Sequence, residues 1–503
     1  MNKAKGIART VENPTGENHL IEESILPVWL NQRTISFWGF IAIWIGMAVI
    51  IATFSLGAGG VSGMPLEHVL LTIFLANLTL GIVMTLTADI GTEHGLSFAV
   101  YLRAPFGTFG THLPAVSRGV VAAIWFGIQT YLGALALNGI FEYLTGFTNW
   151  YFWYGIFGIV QIINTAYGIR AVKTLANLAT PAIIAISIWM YYSLDGIAKT
   201  KGINIWNFEG KEEISFLVLF VANMSWWSAL AVDIPNLTRF LKTEPGTKSF
   251  FKRNRNVFVA QFLALPLTQT WIALIGAASF ITTGDWNPIN VIQGQESGLG
   301  LIVLLLMVVL AQWSTNNSAN LIPAALTFVN AAAPKMTYKF GVILAGIIGT
   351  LSMPWLILNN LFTFLGYYGA ILSAIAGIIV ADYYVIRRRH LNVPDLFNQS
   401  GQFKYIKGIN PAAYIAWFIG GSSALASFNY AYLVGFPIAF ITYLVLMKFW
   451  ILPTYKQKEV TSNFNDEYLA TSEGMNWVHE GNGHFSRKTT RELESKSLKR
   501  EDL

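Results

Sequence analysis

The chain has 503 residues, 54% of them apolar and only 12% charged, where an ordinary soluble domain carries roughly 25% charged residues. That balance excludes a soluble globular protein, and zero cysteines exclude disulfides, thiolate metal sites and a cysteine nucleophile. The formal charge of +6 gathers at the ends of apolar segments, so it signals membrane orientation and no nucleic-acid partner is expected.

Residues 1–34 read as a polar N-terminal segment with no cleaved signal peptide. A bilayer span needs ~20 uncharged helical residues, because backbone groups must be satisfied internally and a midplane charge is costly. Runs free of Asp, Glu, Lys and Arg lie at 34–66, 68–88, 119–141, 143–169, 174–194, 214–232, 256–284, 297–334, 340–381 and 408–447. The runs 340–381 and 408–447 are overlong and carry turn signals, Met353-Pro354-Trp355 with Asn359-Asn360, and Ser427-Phe428-Asn429. Splitting both predicts twelve spans, with 297–334 kept as one broken or tilted helix.

With twelve spans, the loops on one side hold 17 Lys/Arg, among them Arg118, Arg253 and Arg387, and the opposite loops hold three, Lys199, Lys201 and Lys211, which places both termini in the cytoplasm. Trp150, Tyr151, Trp153, Trp286, Trp355 and Trp450 fall at span ends as interfacial anchors. The expected organisation is a first repeat over 35–194, a second over 213–384, a cytoplasmic loop at 385–410, two further spans over 411–452 and a polar cytoplasmic tail at 453–503.

Span 1 contains Gly46, which weakens a helix, and span 6 is interrupted by Asn223, Ser225, Trp226, Trp227 and Ser228 ahead of Asp233 and Pro235. If the first ten spans form two five-span repeats of opposite orientation, spans 1 and 6 are equivalent. Paired interrupted segments then point to a transporter's midplane site, although close helix packing also explains a single glycine. In span 3, Trp125 and Gln129 share a face near midspan, so the glutamine must meet protein, water or a ligand. An interhelical hydrogen bond would satisfy it equally well.

Span 8 concentrates seven amide and hydroxyl side chains between Gln312 and Asn320. Ala311, Ser314 and Thr315 recur at i, i+3 and i+4, so one carbonyl and two hydroxyls could bind a small hard cation, or the hydroxyls could bond back to their own helix. Asp89, Glu142, Asp233 and Asp382 all fall at span ends. A neutral substrate follows, as does a cation held by neutral oxygens in place of a carboxylate proton relay.

The segments SFWGFIAIWIGMAV, RAPFG, IWFGIQTYLGALALNGIFEYLTGFTN, DIPNLTRF, IGAASF, DWNP, WSTNNSANL, MPW and AGIIVADYYVIRRRHLNVPDLF are spread along the chain from Ser36 to Phe397. In that order they resemble the nucleobase:cation symporter-1 family, and the bacterial hydantoin permeases most of all. The resemblance implies an all-α polytopic membrane protein with a LeuT-like five-plus-five inverted repeat, broken helices 1 and 6 and two extra C-terminal helices. It implies that Trp125 and Trp227 sandwich a flat heterocycle, with Trp226 adjacent, and that Gln129 and Asn320 read its N–H and C=O edge. It also implies sodium at Gly46, Val49, Ala311, Ser314 and Thr315. Ile50 and Trp226 depart from the family pattern, at positions where a polar amide and a smaller residue are common.

The expectation is therefore a monomeric importer in the cell membrane, not an enzyme, coupled to sodium and without an organic cofactor. A proton-coupled permease and a channel for neutral solutes are the alternatives.

Overall fold

The computed structural model describes residues 19–167, 169–210, 214–481 and 483–494. Residues 1–18 of the N-terminal segment, Lys211 and 495–503 of the tail lie outside the described residues. The first apolar run forms α1 (Phe37–Ala48) and α2 (Ile51–Val61), bent by 53°. Ser36 caps α1 by accepting from the Gly39 N–H, and the helix leaves its geometry at Val49, with φ −94° and ψ 67°. The break therefore lies just beyond Gly46.

There follow α3 (Leu66–His94), α4 (His112–Thr145), α5 (Trp150–Ala166), α6 (Ile169–Thr200), α7 (Phe216–Asp233) and the single turn α8 (Pro235–Thr238). The interruption expected within span 6 at Asn223–Ser228 is absent, and α7 runs through it unbroken. Some of its polar groups are bonded without unwinding: Asn223 Nδ2 donates to Asn77 Oδ1 of α3 at 3.1 Å, and Ser228 Oγ to the Ser225 carbonyl at 2.8 Å, while Asn223 Oδ1 and Ser225 Oγ are buried without a partner. The chain turns instead at Ile234, where Pro235, lacking an N–H, starts α8.

Next come α9 (Arg255–Thr283) and α10 (Gly298–Ala332), each with one π-helical turn, at Ala260–Ala264 and Asn317–Leu321. The remaining long helices are α11 (Tyr338–Leu351), α12 (Leu361–Ile386), α13 (Pro411–Ala426) and α14 (Phe428–Thr454). The run 340–381 breaks at Met353, which takes a left-handed φ of 50° before Pro354, and the run 408–447 breaks at Ser427. Among the described residues, seven helices are long and apolar enough to cross a bilayer, and the α1–α2 pair makes an eighth. The body is an all-helical, polytopic membrane architecture.

Two packing groups organise it. One joins α2, α3, α7 and α9, and the other joins α4, α5, α10 and α11. In the first, Gly57 and Gly276 let α2 and α9 touch through their backbones, since a Cβ on Gly57 would lie 1.9 Å from the Ala273 carbonyl oxygen. In the second, Asn316 of α10 donates to the Phe126 carbonyl at 3.0 Å, Thr130 Oγ1 at 3.1 Å and Gln161 Oε1 at 2.8 Å, knitting α10 to α4 and α5.

The tail is folded onto this body. It carries a two-stranded antiparallel hairpin, β1 (Met475–Gly481) and β2 (His484–Thr489), with Trp477 and Phe485 buried. Trp29 Nε1 donates to the Trp477 carbonyl at 3.0 Å, and the Leu30 N–H to Asn476 Oδ1 at 2.7 Å. Glu93, at the end of α3, accepts from the Ala470 N–H at 2.9 Å and the Ser472 N–H at 3.1 Å. Arg253 pairs with Asp89 at 2.5 Å and Glu93 at 3.0 Å, and donates to Ser472 Oγ at 3.0 Å. Arg387 pairs with Asp382 at 2.7 Å and with Glu459 of the tail.

Candidate functional site

Between the two packing groups lies a buried cavity lined by residues of α1, α4, α7 and α10 together with Ile50 of the α1–α2 break. On α4, Arg118, Trp125 and Gln129 recur at i, i+7 and i+11, so one face of the helix presents all three. Facing them are Trp226 and Trp227 of α7, Thr315 and Asn320 of α10, and Met47 of α1. All five side chains expected to bind substrate, Trp125, Gln129, Trp226, Trp227 and Asn320, thus line one cavity.

The rings do not yet form an open sandwich. Trp125 packs on Trp226, centroids 5.2 Å apart and planes inclined by 56°, while Trp227 packs on Trp44 at 6.0 Å and 52°. This clustering leaves a free volume of about 30 Å³, little more than one water requires. Trp226, packed on Trp125, is one of the side chains that fill this space.

Polar contacts hold the indoles in place. Trp125 Nε1 donates to Tyr368 Oη at 3.3 Å, and Tyr368 Oη donates to the Trp226 carbonyl at 3.1 Å. Trp227 Nε1 donates to Gln269 Oε1 at 2.7 Å. Asn320 Nδ2 donates to Asn316 Oδ1 at 2.8 Å, which fixes its amide from within the α4–α5–α10 network. Gln129 Oε1 is buried without a hydrogen-bond partner, an acceptor whose cost a ligand N–H would remove.

The inner wall holds what the sequence reading missed. Arg118, read there as a loop cation, is fully buried and lines the cavity. Its guanidinium pairs with Asp233 Oδ2 at 3.0 Å and donates to the carbonyls of Ala229 at 3.0 Å and Ala319 at 3.1 Å, linking α4, α7 and α10. Its spacing from Trp125 and Gln129 was the available signal. Tyr368 and Gln269 had none, because they act through helices distant in sequence.

Beside the cavity, the end of α1 meets α10. Thr315 Oγ1 donates to the Gly46 carbonyl at 2.6 Å, and Ser314 Oγ lies 3.7 Å from where a Gly46 Cβ would be. Gly46 lies in the last turn of α1, where carbonyls lack intrahelical donors, and Val49 stands at the break. Carbonyl and hydroxyl oxygens without a carboxylate suit a hard monovalent cation, and the residues present fit one. Of the end residues open to a proton-coupled alternative, Glu142 is exposed and Asp89 accepts from Arg253, from Asn254 Nδ2 at 2.5 Å and from Tyr383 Oη at 3.2 Å.

A cavity buried between two helix groups of a polytopic membrane protein, beside a broken helix, is the arrangement of a secondary transporter. The chain belongs to the family of permeases for cytosine/purines, uracil, thiamine and allantoin, whose profile matches residues 27–452. It is 30% identical to a hydantoin permease of Microbacterium maritypicum, covering 90% of this chain and 93% of that one. It is 27% identical to an allantoin permease of Bacillus subtilis, covering 87% and 95%. Among solved structures it resembles a nucleobase-cation-symport-1 family transporter in a closed conformation with bromovinylhydantoin bound, with a TM-score of 0.82, 28% identity and coverage of 88% and 99%. The fold also extends to a Na+-coupled sialic acid symporter at a TM-score of 0.59, 14% identity and coverage of 84% and 92%.

Proposed function

We propose that this permease imports a neutral, planar nitrogen heterocycle of the hydantoin, allantoin or nucleobase type by sodium symport and alternating access. The observation that carries the reading is the convergence of Trp125, Gln129, Trp226, Trp227 and Asn320 on one cavity between the two packing groups. Stacking on indoles gains contact without charge, and the two amides supply the edge contacts that tell one ring from another. Rocking of one group against the other opens the cavity to each side in turn.

Sodium is supported by the neutral oxygens of Gly46, Val49, Ala311, Ser314 and Thr315, and by the engagement of Asp89 with its own cation. One charge crossing ~100 mV supplies ~2.3 kcal/mol, about 50-fold accumulation. In this reading the chain acts as a monomer in the cell membrane with both termini cytoplasmic. Helices α5, α6, α11 and α13 complete twelve spans, the first ten arranged as an inverted repeat over 35–194 and 213–384.

Competition of uptake by uracil, cytosine, allantoin, hydantoins and hypoxanthine, with and without sodium, tests the reading. One heterocycle should compete most strongly and only with sodium present. Uptake driven by an imposed pH gradient and indifferent to sodium overturns the coupling.

A further inference from the structure

A second cavity, of about 480 Å³ and sharing no residue with the central one, lies where the two chain ends meet the body. Its walls come from the N-terminal segment (Trp29), the chain following α8 (Arg239 and Phe240), α10, the start of α11 (Tyr338) and β1 (Trp477). Four of these are aromatic, and the volume is that of a small-molecule pocket.

Arg239 is its one polar anchor of high cost. The side chain is 2% exposed, and its Nη2 donates to the Ser24 carbonyl at 3.0 Å, while Nε and Nη1 have no hydrogen-bond partner. The Phe240 ring lies 4.7 Å beneath the guanidinium carbon. Among the described residues no carboxylate pairs with Arg239. Glu23, in the same lining, is exposed, and the neighbouring Glu22 is engaged by the Ser24 N–H at 2.7 Å. Burial pulls the Arg239 guanidinium down to about 10, although Tyr338 and the Glu22 charge nearby offset part of the desolvation. Among the other buried arginines of the described residues, Arg118, Arg253 and Arg387 each hold a carboxylate, and Arg33 and Arg103, which form no ion pair, donate to carbonyl, amide and hydroxyl oxygens, whereas Arg239 leaves both Nε and Nη1 unpartnered.

We propose that this cavity is a ligand site for a small planar carboxylate, an aromatic or heterocyclic acid whose carboxylate takes the unpartnered N–H groups of Arg239 while its ring lies among Trp29, Phe240, Tyr338 and Trp477. An anion removes the charge penalty that a neutral ring leaves in place. The aromatic walls exclude strongly hydrated anions such as phosphate in favour of a flat apolar body.

The test is calorimetric titration of the full-length protein in lipid nanodiscs with naphthalene-2-carboxylate, benzoate, inorganic phosphate and the neutral naphthalene-2-carboxamide. Naphthalene-2-carboxylate should bind at least tenfold more tightly than its amide and than phosphate. Arg239→Gln should weaken it at least tenfold while leaving heterocycle binding at the central cavity unchanged. Trp477→Ala, which removes a wall and leaves the cation, should weaken it too and serves as the readout if Arg239→Gln fails to fold. Trp125→Ala should leave carboxylate binding intact, which separates this site from the central one. Equal binding of acid and amide, binding of none of the acids, tightest binding of phosphate, or loss in Trp125→Ala alone overturns the proposal.

Discussion

The Thr315 hydroxyl donates a 2.6 Å hydrogen bond to the Gly46 carbonyl, joining the middle of α10 to the last turn of α1. These are the two elements whose oxygens the sodium reading requires together. Replacing both Ser314 and Thr315 with Ala should abolish the sodium enhancement of substrate binding and leave a weak, sodium-independent affinity, because the indoles are untouched. Linkage requires cation and substrate to raise each other's affinity by one factor. Titrating substrate at several sodium concentrations measures that factor, and an undiminished value in the double variant refutes the site.

Trp125→Ala and Trp227→Ala should each cost ~1–3 kcal/mol of substrate binding, by analogy with base–aromatic stacking. Membrane insertion should be unaffected. Equilibrium binding on purified protein reads the loss, and wild-type affinity in both variants removes the stacking role.

Trp226→Ala should act in the opposite sense on bulky ligands. Its indole packs on Trp125 and leaves only about 30 Å³ free, so removing it relieves overpacking of ~1–3 kcal/mol for ring-substituted heterocycles. In competition assays the substituted ligands should gain relative to the unsubstituted parent. An unchanged ranking would show that Trp226 swings clear without cost.

Asn320→Ala should reorder competing heterocycles, since an amide left unpaired by the wrong ring costs ~1–3 kcal/mol. A uniform weakening of every ligand would assign Asn320 to packing against Asn316.

Breaking the Arg118–Asp233 pair by Asp233→Asn or Arg118→Met should destabilise the fold by ~3–5 kcal/mol, because each leaves an uncompensated buried charge or its orphaned partner. The double variant should melt higher than either single one. Thermal melting followed by size-exclusion chromatography reports the order, and additive losses would show that the two groups act independently.

Much of this site was legible in the sequence because the constraint was local. Trp125 and Gln129 sit four residues apart where neither an interfacial tryptophan nor a lipid-facing glutamine belongs, and the amides of α10 are crowded into one stretch. The weak point of span 1 was likewise visible, since the helix fails just beyond Gly46.

What failed was long-range. Asn223 and Ser228 give the pattern of a broken helix, yet Asn77 on α3 accepts from the asparagine and α7 stays whole. The partners of Arg118, Arg253 and Arg387 were likewise out of reach of local spacing, since each is buried against a carboxylate brought in by the fold. The hairpin in the tail carried a local signal that was passed over: Gly481 and Gly483, with φ of 105° and 75°, flank its turn.

The docking of that tail also dictates an order of manufacture. Trp29 and Leu30 leave the ribosome early, yet their partners Trp477 and Asn476 arrive only after every apolar segment has been made. Until then Arg387 lacks Glu459, and Glu93 lacks the Ala470 and Ser472 amides. At ~5–20 residues per second the gap between the two ends is tens of seconds, during which the inserted helices carry buried charges only partly compensated. A chain halted before Glu459 would therefore have every helix of the body made and still leave Arg387 and Glu93 without these partners, so the segment around Glu459–Ser472 finishes a charge balance that the helices alone leave open.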